Sequence, residues 1–545
     1  MFIGVDVGSS SARAVVVNAD GPIGKPAVQA IKTWQPEPLF YEQSSEDIWD
    51  AVCRAVQLTL EYNRINPGDI EGIGFCATCS LVVLDSASQP ISISKSGTGT
   101  NNVIKWCDHR AIKQAESINS TKHPVLQFVG GSVSAEMELP KILWLKENLP
   151  ENYHRMEYMF DLPDYLTFRA TGSLSRSFCT VVCKWNYVGH ENSELPSGWN
   201  RSFLDTIGLG DLDGDKRLGV CILKPGQPVG KGLTSRAALE LGGLRAATPV
   251  GTSLIDAHCG GIGMLGVGDE CPLENRLALI AGTSICHMMV SKTPIQMTGI
   301  WGPYYSAMVP GWFCNEGGQS AGGELLRHII ETHPAYSKLD TPDTFGRLHE
   351  ILKQEAISSD MPITWLSKDL HMTPDFNGNR SPFACPTMKG VVSGLDLQKD
   401  SISSLAILYL AALQSLAYGT KMIIDKANDS GYEIRCVIAC GGLCVNNLFL
   451  QTLADVLQVP VVVPAQKEAV LVGAAILGAV ASKSIGSIQD AMMSPNKPFE
   501  KFIPDTQNCN YHTVKYEIFT DLVLSNLKHV GMMSNLAPPS FCKNE

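Results

Sequence analysis

Three short segments of this chain combine glycine with hydroxyl or amide side chains, a composition suited to holding phosphate. The first is Asp6-Val-Gly8-Ser9-Ser10-Ser11-Ala-Arg13. Backbone N–H groups grip a phosphate oxygen only at close range, and glycine removes the Cβ that would keep it away. The hydroxyls of Ser9, Ser10 and Ser11 add donors that rotate to fit, and Arg13 closes the segment. Asp6, at the end of its strand, suits a hydrated Mg²⁺. An ordinary hairpin turn explains this segment equally well. The second, Ala281-Gly282-Thr283-Ser284, carries the same chemistry. Two such tips on equivalent hairpins favour two clamps on one polyphosphate over two unrelated turns. The third is Cys440-Gly441-Gly442-Leu-Cys-Val-Asn446-Asn447. A Gly-Gly turn admits a flat ring or ribose close to the backbone. A plain strand-to-helix turn capped by Asn446 or Asn447 is the simpler reading of that segment alone.

A second group of residues could serve a hydroxylated substrate. Asp256 could accept the proton of an attacking hydroxyl, or could simply cap the helix expected from Ala257 onward. Lys184 stands in the apolar stretch Val182-Cys183-Lys184-Trp185, where it could face a ligand or snorkel from a strand edge. Glu316, before Gly317-Gly318, could accept hydrogen bonds or be a loop charge. Trp106 could form an aromatic wall, although aromatics are more often core. Asp108, His109 and Arg110 could brace that wall by ion pairing. Gly261-x-Gly263-x-x-Gly266 spells a dinucleotide fingerprint without a clear preceding strand, so a small-residue helix packed tightly at the interdomain cleft is the better reading.

These residues need elements to hold them. Residues 2–7 and 13–18 read as a hairpin around the first tip, and residues 277–281 and 286–290 as a second hairpin that echoes it. Helical spacing covers 46–64, 137–149, 405–427, 446–457 and 468–481, with a tail helix at 514–530. Strands are expected at 70–76, 82–84, 435–440 and 459–463. The stretch 188–250 is rich in Gly, Asp and Pro and reads as connections. Strand–glycine–helix alternation in both halves predicts an α/β fold with mixed sheets flanked by helices. The domain boundary falls near 257–275, giving domains 1–262 and 263–485 and a C-terminal extension 486–545.

With 545 residues the chain is long enough for two large domains, and 44% hydrophobic and 18% charged residues exclude a disordered or coiled-coil chain. Its formal charge of −11 argues against nucleic acid or an anionic membrane as partner. The 17 cysteines, with Cys76-x-x-Cys79 and Cys440/Cys444 lacking a second ligand pair, read as thiols of a reducing compartment. The first residues already read as a strand rather than a targeting peptide, and no membrane-spanning run is evident, so a cytoplasmic location is expected.

Together the glycine tips resemble the ATP site of the sugar-kinase, Hsp70 and actin superfamily. Along residues 1–485 the chain resembles the FGGY carbohydrate kinases. The likeness rests on the first tip with its strand, Trp106-Cys-Asp-His-Arg110, Pro140-Lys-Ile-Leu-Trp-Leu145, Asp256-Ala-His-Cys-Gly-Gly261, Ala281-Gly-Thr-Ser284, Glu316-Gly-Gly-Gln-Ser320 and Cys440-Gly-Gly-Leu443. With Asn377-Gly-Asn-Arg-Ser381, these are most similar to the ribulokinase branch and its eukaryotic D-ribulokinase-like group. Ala77-Thr-Cys-Ser80 stands where glycerol kinases carry Arg-Glu. Glu138 replaces the usual hydroxyl three residues before Lys141, and the spacing over 390–414 departs from the family's second signature.

The resemblance implies two ribonuclease-H-like domains and phosphorylation of a pentulose, most simply D-ribulose, by ATP with Mg²⁺. It implies Asp256 as the base, Asp6 on the metal, and Ala77, Trp106, Lys184, Asp256 and Glu316 around the sugar. Gly8 to Ser11, Arg13, Gly282, Thr283, Ser284, Gly441, Gly442 and Asn446 would hold the nucleotide. Motifs do not fix the stereochemistry of a hydroxyl. L-Ribulose, xylulose or another polyol, or a non-catalytic sugar or nucleotide sensor, remain alternative readings. Oligomeric state is not legible.

Overall fold

The computed structural model describes the chain apart from residues 20, 96–98, 191–194, 213, 269–270, 398–400, 494–497, 535 and 537–545. These residues form two compact units, each assembled from separate stretches of chain. The first comprises Met1–Ala278, Met288–Glu316 and Pro464–Phe499; the second comprises Leu279–His287, Gly317–Val463 and Glu500–Glu545.

The main sheet of the first unit has the strand order Val250–Ile255, Gly72–Ala77, Phe2–Val7, Ser11–Asn18, Gly21–Ala30. Phe2–Val7 pairs antiparallel with Ser11–Asn18, which is the expected hairpin, and parallel with Gly72–Ala77. Val7 lies opposite Ala77, and Ala77 opposite Ile255, so three parallel strands end at one edge. Ligands of open α/β sheets gather at such an edge, outside the carboxyl ends of the strands. Asp6, Ala77 and Asp256 all stand there.

Alternate residues of Ser11–Asn18 serve two cores, as the period of two requires. Ala12, Ala14 and Val16 join the cluster around helix Ser45–Tyr62, whose Ile48, Trp49, Val52 and Val56 are buried. Val15 and Val17 meet Leu471 and Ala475 of helix Ala469–Ala481. Ser44 caps the first of these helices by accepting from the Asp47 amide at 3.4 Å.

Helix Ala469–Ala481 lies almost backbone to backbone on the sheet. A Cβ on Gly4, Gly74 or Gly251 would run into the carbonyl oxygens of Leu471, Ala474 or Leu477. The Gly261-x-Gly263-x-x-Gly266 segment has the same packing function. Its three glycines lie against Met308 Sδ, the Ala469 carbonyl and the Met492 carbonyl. It is a close-packing stripe of the first unit, not a nucleotide loop.

A seven-stranded sheet has the order Trp301–Tyr305, Phe313–Gln319, Ile285–Ser291, Arg276–Ala281, Cys436–Cys440, Val461–Pro464, Phe499–Phe502. Arg276–Ala281 and Ile285–Ser291 are neighbours in it, with Gly282-Thr-Ser284 between them, as the echo of the first hairpin predicts. In the second unit helix Ile402–Asp429 buries Leu405, Leu410, Leu413 and Leu416. By length and composition alone this helix could cross a membrane, which corrects the expectation that no such run is evident; most of its apolar window is buried inside the unit. The tail forms a longer helix than expected, Thr506–Ser534, which buries Tyr511, Phe519 and Val523.

Most expected elements occur within a few residues of their predicted limits. Gly21–Ala30 was not foreseen. Pro22, Gly24 and Pro26 argue against a strand, and it exists because it is an edge strand. The 188–250 stretch contains short helices at Arg201–Thr206 and Ser235–Glu240.

Candidate active site

Asp6 and Asp256 leave the same sheet edge of the first unit. Asp6 is buried and accepts from Arg13 Nε at 3.0 Å through Oδ2, while among the described residues its Oδ1 meets only the Cys76 thiol, at 3.6 Å. Arg13 also reaches Glu468 at 3.2 Å. Without ligand, this arginine therefore neutralises Asp6. Asp256 is the first residue of helix Asp256–Met264, and the cap position belongs to Ile255. The sequence alternative of an N-cap therefore does not hold. Its Oδ1 accepts from the adjacent Ala257 amide, at 2.7 Å. Desolvation, reinforced by the Asp6 charge, pushes its carboxyl up to about 7. A carboxyl poised there exchanges a proton readily at neutral pH.

Lys184 ends helix Phe178–Lys184 and is 2% exposed, so it is neither on a strand nor snorkelling. Its Nζ lies 4.3 Å from the ring centre of Trp301. Burial disfavours its ammonium, but Cys79 and Glu316 favour it, and the net direction is upward. No hydrogen bond or ion pair to Lys184 occurs among the described residues. Glu316, on strand Phe313–Gln319, is 6% exposed and its Oε2 has no hydrogen-bond partner among the described residues. A buried cation and a buried carboxylate that sense each other without touching leave room for a ligand with donors and acceptors. Ala77 is wholly buried, so it offers shape and backbone rather than an accessible side chain.

Behind Lys184 lies a charged layer that sequence reasoning missed. Glu138 and Lys141 pair at 3.5 Å with no exposure, and neither side-chain oxygen of buried Asp161 has a hydrogen-bond partner among the described residues. Burial, only partly opposed by Lys141, pushes the Glu138 carboxyl up to about 7. Burial and the Glu138 charge push Asp161 up as well. Only the odd Glu138 at its family position hinted at this. Trp301, over the lysine, carried no sequence signal either.

The first tip is built as expected: the Gly8 amide donates to the Ser11 carbonyl at 3.0 Å. Ser10 is exposed, and Gly8, Ser9 and Ser11 are half-buried. Trp106 Nε1 donates to Ser9 Oγ at 2.9 Å, which ties the aromatic wall to this tip. Arg110 grips Asp108 at 2.7 Å and Glu42 at 3.1 Å, all three buried, so this pair does brace the wall.

In the second unit Gly282, Thr283 and Gly442 line a cavity of about 620 Å³ with Gly323, Tyr336 and Phe345. The tip is tied down by the Gly322 amide on the Thr283 carbonyl (2.7 Å) and the Gly323 amide on the Gly282 carbonyl (2.9 Å). Gly441 has φ +103°, and a Cβ there would strike the Ala281 carbonyl; Gly442 faces open space. Ser284 follows the tip as the acceptor of the Gly282 amide, at 2.9 Å. Asn446 caps helix Asn447–Leu457 through the Phe449 amide at 3.1 Å and donates to Tyr409 Oη at 2.6 Å, so both its polar atoms are engaged within the unit.

Residues 1–263 match the N-terminal domain, and residues 277–482 the C-terminal domain, of the FGGY family of carbohydrate kinases. The chain belongs to this family. It is 44% identical to a human FGGY carbohydrate kinase domain-containing protein over 98% of each chain. It is 39% identical to a Saccharomyces cerevisiae D-ribulokinase, over 88% of this chain and 72% of that one. Its fold is similar to that of a xylulose kinase from Lactobacillus acidophilus, with TM-score 0.79 and 16% identity over 97% of this chain and 99% of the other. The two-domain α/β sugar-kinase fold is thereby the fold of this FGGY kinase.

Proposed function

We propose that this chain transfers the γ-phosphoryl group of ATP to a pentulose, D-ribulose, yielding D-ribulose 5-phosphate and ADP. The observation that carries the reading is the buried Lys184 ammonium, its side chain unbonded among the described residues and in the field of Glu316, whose charge also acts on Asp256. The 39% identity to a D-ribulokinase supports the choice of sugar.

Asp256 takes the proton of the C5 hydroxyl as its oxygen bonds to phosphorus and the bond from the γ-phosphorus to the bridging oxygen breaks. Lys184 donates to the ketose oxygen and Glu316 accepts from hydroxyls, which fixes the sugar before reaction. Gly282, Thr283 and Ser284 in the second unit, with Gly441 and Gly442, receive the nucleotide, and Asn446 stiffens the helix that follows. In the first unit Gly8 to Ser11 form the other phosphate tip, and Arg13 leaves Asp6 for a phosphate oxygen. The Asp6 Oδ1 atom, met only by a thiol, fits a water-mediated hold on Mg²⁺. That ion, when bound, neutralises phosphate charge.

Coupled ADP detection with D-ribulose, L-ribulose, D-xylulose and glycerol tests the substrate. The highest kcat/KM is expected on D-ribulose, and a clear preference for xylulose or glycerol overturns the assignment. Lys184→Met keeps the length and removes the donor. A charge-assisted hydrogen bond of about 1.5–3 kcal/mol implies a sugar KM raised about 10–100-fold with KM for ATP little changed. An unchanged sugar KM removes Lys184 from the site.

A further inference from the structure

The phosphoryl-transfer reading leaves a buried cluster of thiols and an imidazole in the first unit unused. Cys179 and Cys183 stand four residues apart on helix Phe178–Lys184, a spacing that puts both thiols on one helical face. His258, on helix Asp256–Met264, faces them. The ligand atoms of these three residues all lie within 4.8 Å of one another. All three residues have no solvent exposure. His258 Nε2 lies 3.5 Å from Cys183 Sγ, and His258 Nδ1 has no hydrogen-bond partner among the described residues. A further buried thiol, Cys314, interacts electrostatically with the same imidazole.

We propose that Cys179, Cys183 and His258 form a binding site for a thiophilic d¹⁰ cation, with Zn²⁺ as its probe. Two thiolates and an imidazole are the donor set that soft and borderline metals take, and hard Mg²⁺ avoids. The spacing also fits. Metal–sulfur and metal–nitrogen bonds of about 2.3 and 2.0–2.1 Å in a tetrahedron put sulfur and nitrogen about 3.5 Å apart. That is the separation found between Cys183 and His258. Binding releases the thiol protons to solvent, so no redox partner is involved. An S–H···N hydrogen bond gives a similar distance, and the experiment separates the two.

The site has a structural consequence. Cys183 immediately precedes Lys184, and His258 lies two residues after Asp256. A cation held by these ligands staples the helix that carries the lysine to the helix that carries the carboxylate. The donor set itself does not depend on the sugar assignment, and a metal readout fails or succeeds independently of turnover.

The test uses the full chain, produced in zinc-supplemented medium and purified without chelator, with metal content read by elemental analysis. A second sample is unfolded, refolded with Co²⁺ and examined for thiolate-to-cobalt charge-transfer absorption. Expected are close to one Zn²⁺ per chain and a cobalt–thiolate band. Both should fall at least severalfold in Cys183→Ser and in His258→Gln, and persist in Cys53→Ser, a buried thiol elsewhere in this unit. Folded wild-type protein with neither zinc nor the cobalt band overturns the proposal and leaves a thiol–imidazole hydrogen-bond network. Metal that persists undiminished in both folded ligand variants overturns it too.

Discussion

Asp256→Asn is expected to lower kcat about 10²–10⁴-fold, the range a positioned general base contributes, while the protein still folds and binds ATP. The amide keeps the size of the carboxyl and can still accept from the Ala257 amide, so the helix start is preserved. It cannot take up the hydroxyl proton. The carboxyl, raised to about 7 by desolvation and the Asp6 charge, is well matched to that task at neutral pH. Steady-state rates together with a nucleotide-binding titration check both parts. Turnover at the wild-type rate would remove Asp256 from the chemistry, and lost ATP binding would make its part structural.

Gly74→Val is expected to be the most damaging substitution outside the candidate site. A Cβ at Gly74 would run into the Ala474 carbonyl oxygen and come within 3.0 Å of Leu477 Cβ. Both belong to helix Ala469–Ala481, and a helix backbone cannot yield as a flexible side chain does. Overpacking in a core costs about 1–3 kcal/mol and more where backbone must move. Strand Gly72–Ala77 lies between the strand that carries Asp6 and the strand that leads into Asp256, so displacement should also reduce activity. Thermal denaturation should show a large fall in Tm or loss of soluble protein. Gly531→Ala, in helix Thr506–Ser534 with nothing near its Cβ position, should be neutral or stabilising by about 1 kcal/mol. Equal Tm values for the two variants would show that the close approach at Gly74 is not essential.

Local chemistry decided what the sequence could reveal. Glycine and hydroxyl punctuation between β-rich runs marks both hairpin tips, since turn formation is a short-range property. Apolar spacing marks the long helices. The family likeness rests on several short segments in a fixed order, and the matches over 1–263 and 277–482 agree with it. Asp256 was legible as a residue of interest, but not its exact helix position, which depends on backbone geometry at one residue.

Other features escaped because burial and partners are properties of the folded chain. Lys184 reads locally as a charge among apolar neighbours. Only folding brings Trp301 over its ammonium and Glu316 into its field. Cys179, Cys183 and His258 show no compact ligand motif, because the histidine comes from a distant helix.

From the chain itself came the two glycine–hydroxyl hairpin tips, the α/β alternation and the kinase family, all written in short contiguous stretches. Three-dimensional packing alone decided which charges lose their water, which glycines press against a helix and which thiols meet an imidazole. Desolvation and close approach depend on residues far apart along the polypeptide, and no local pattern records them.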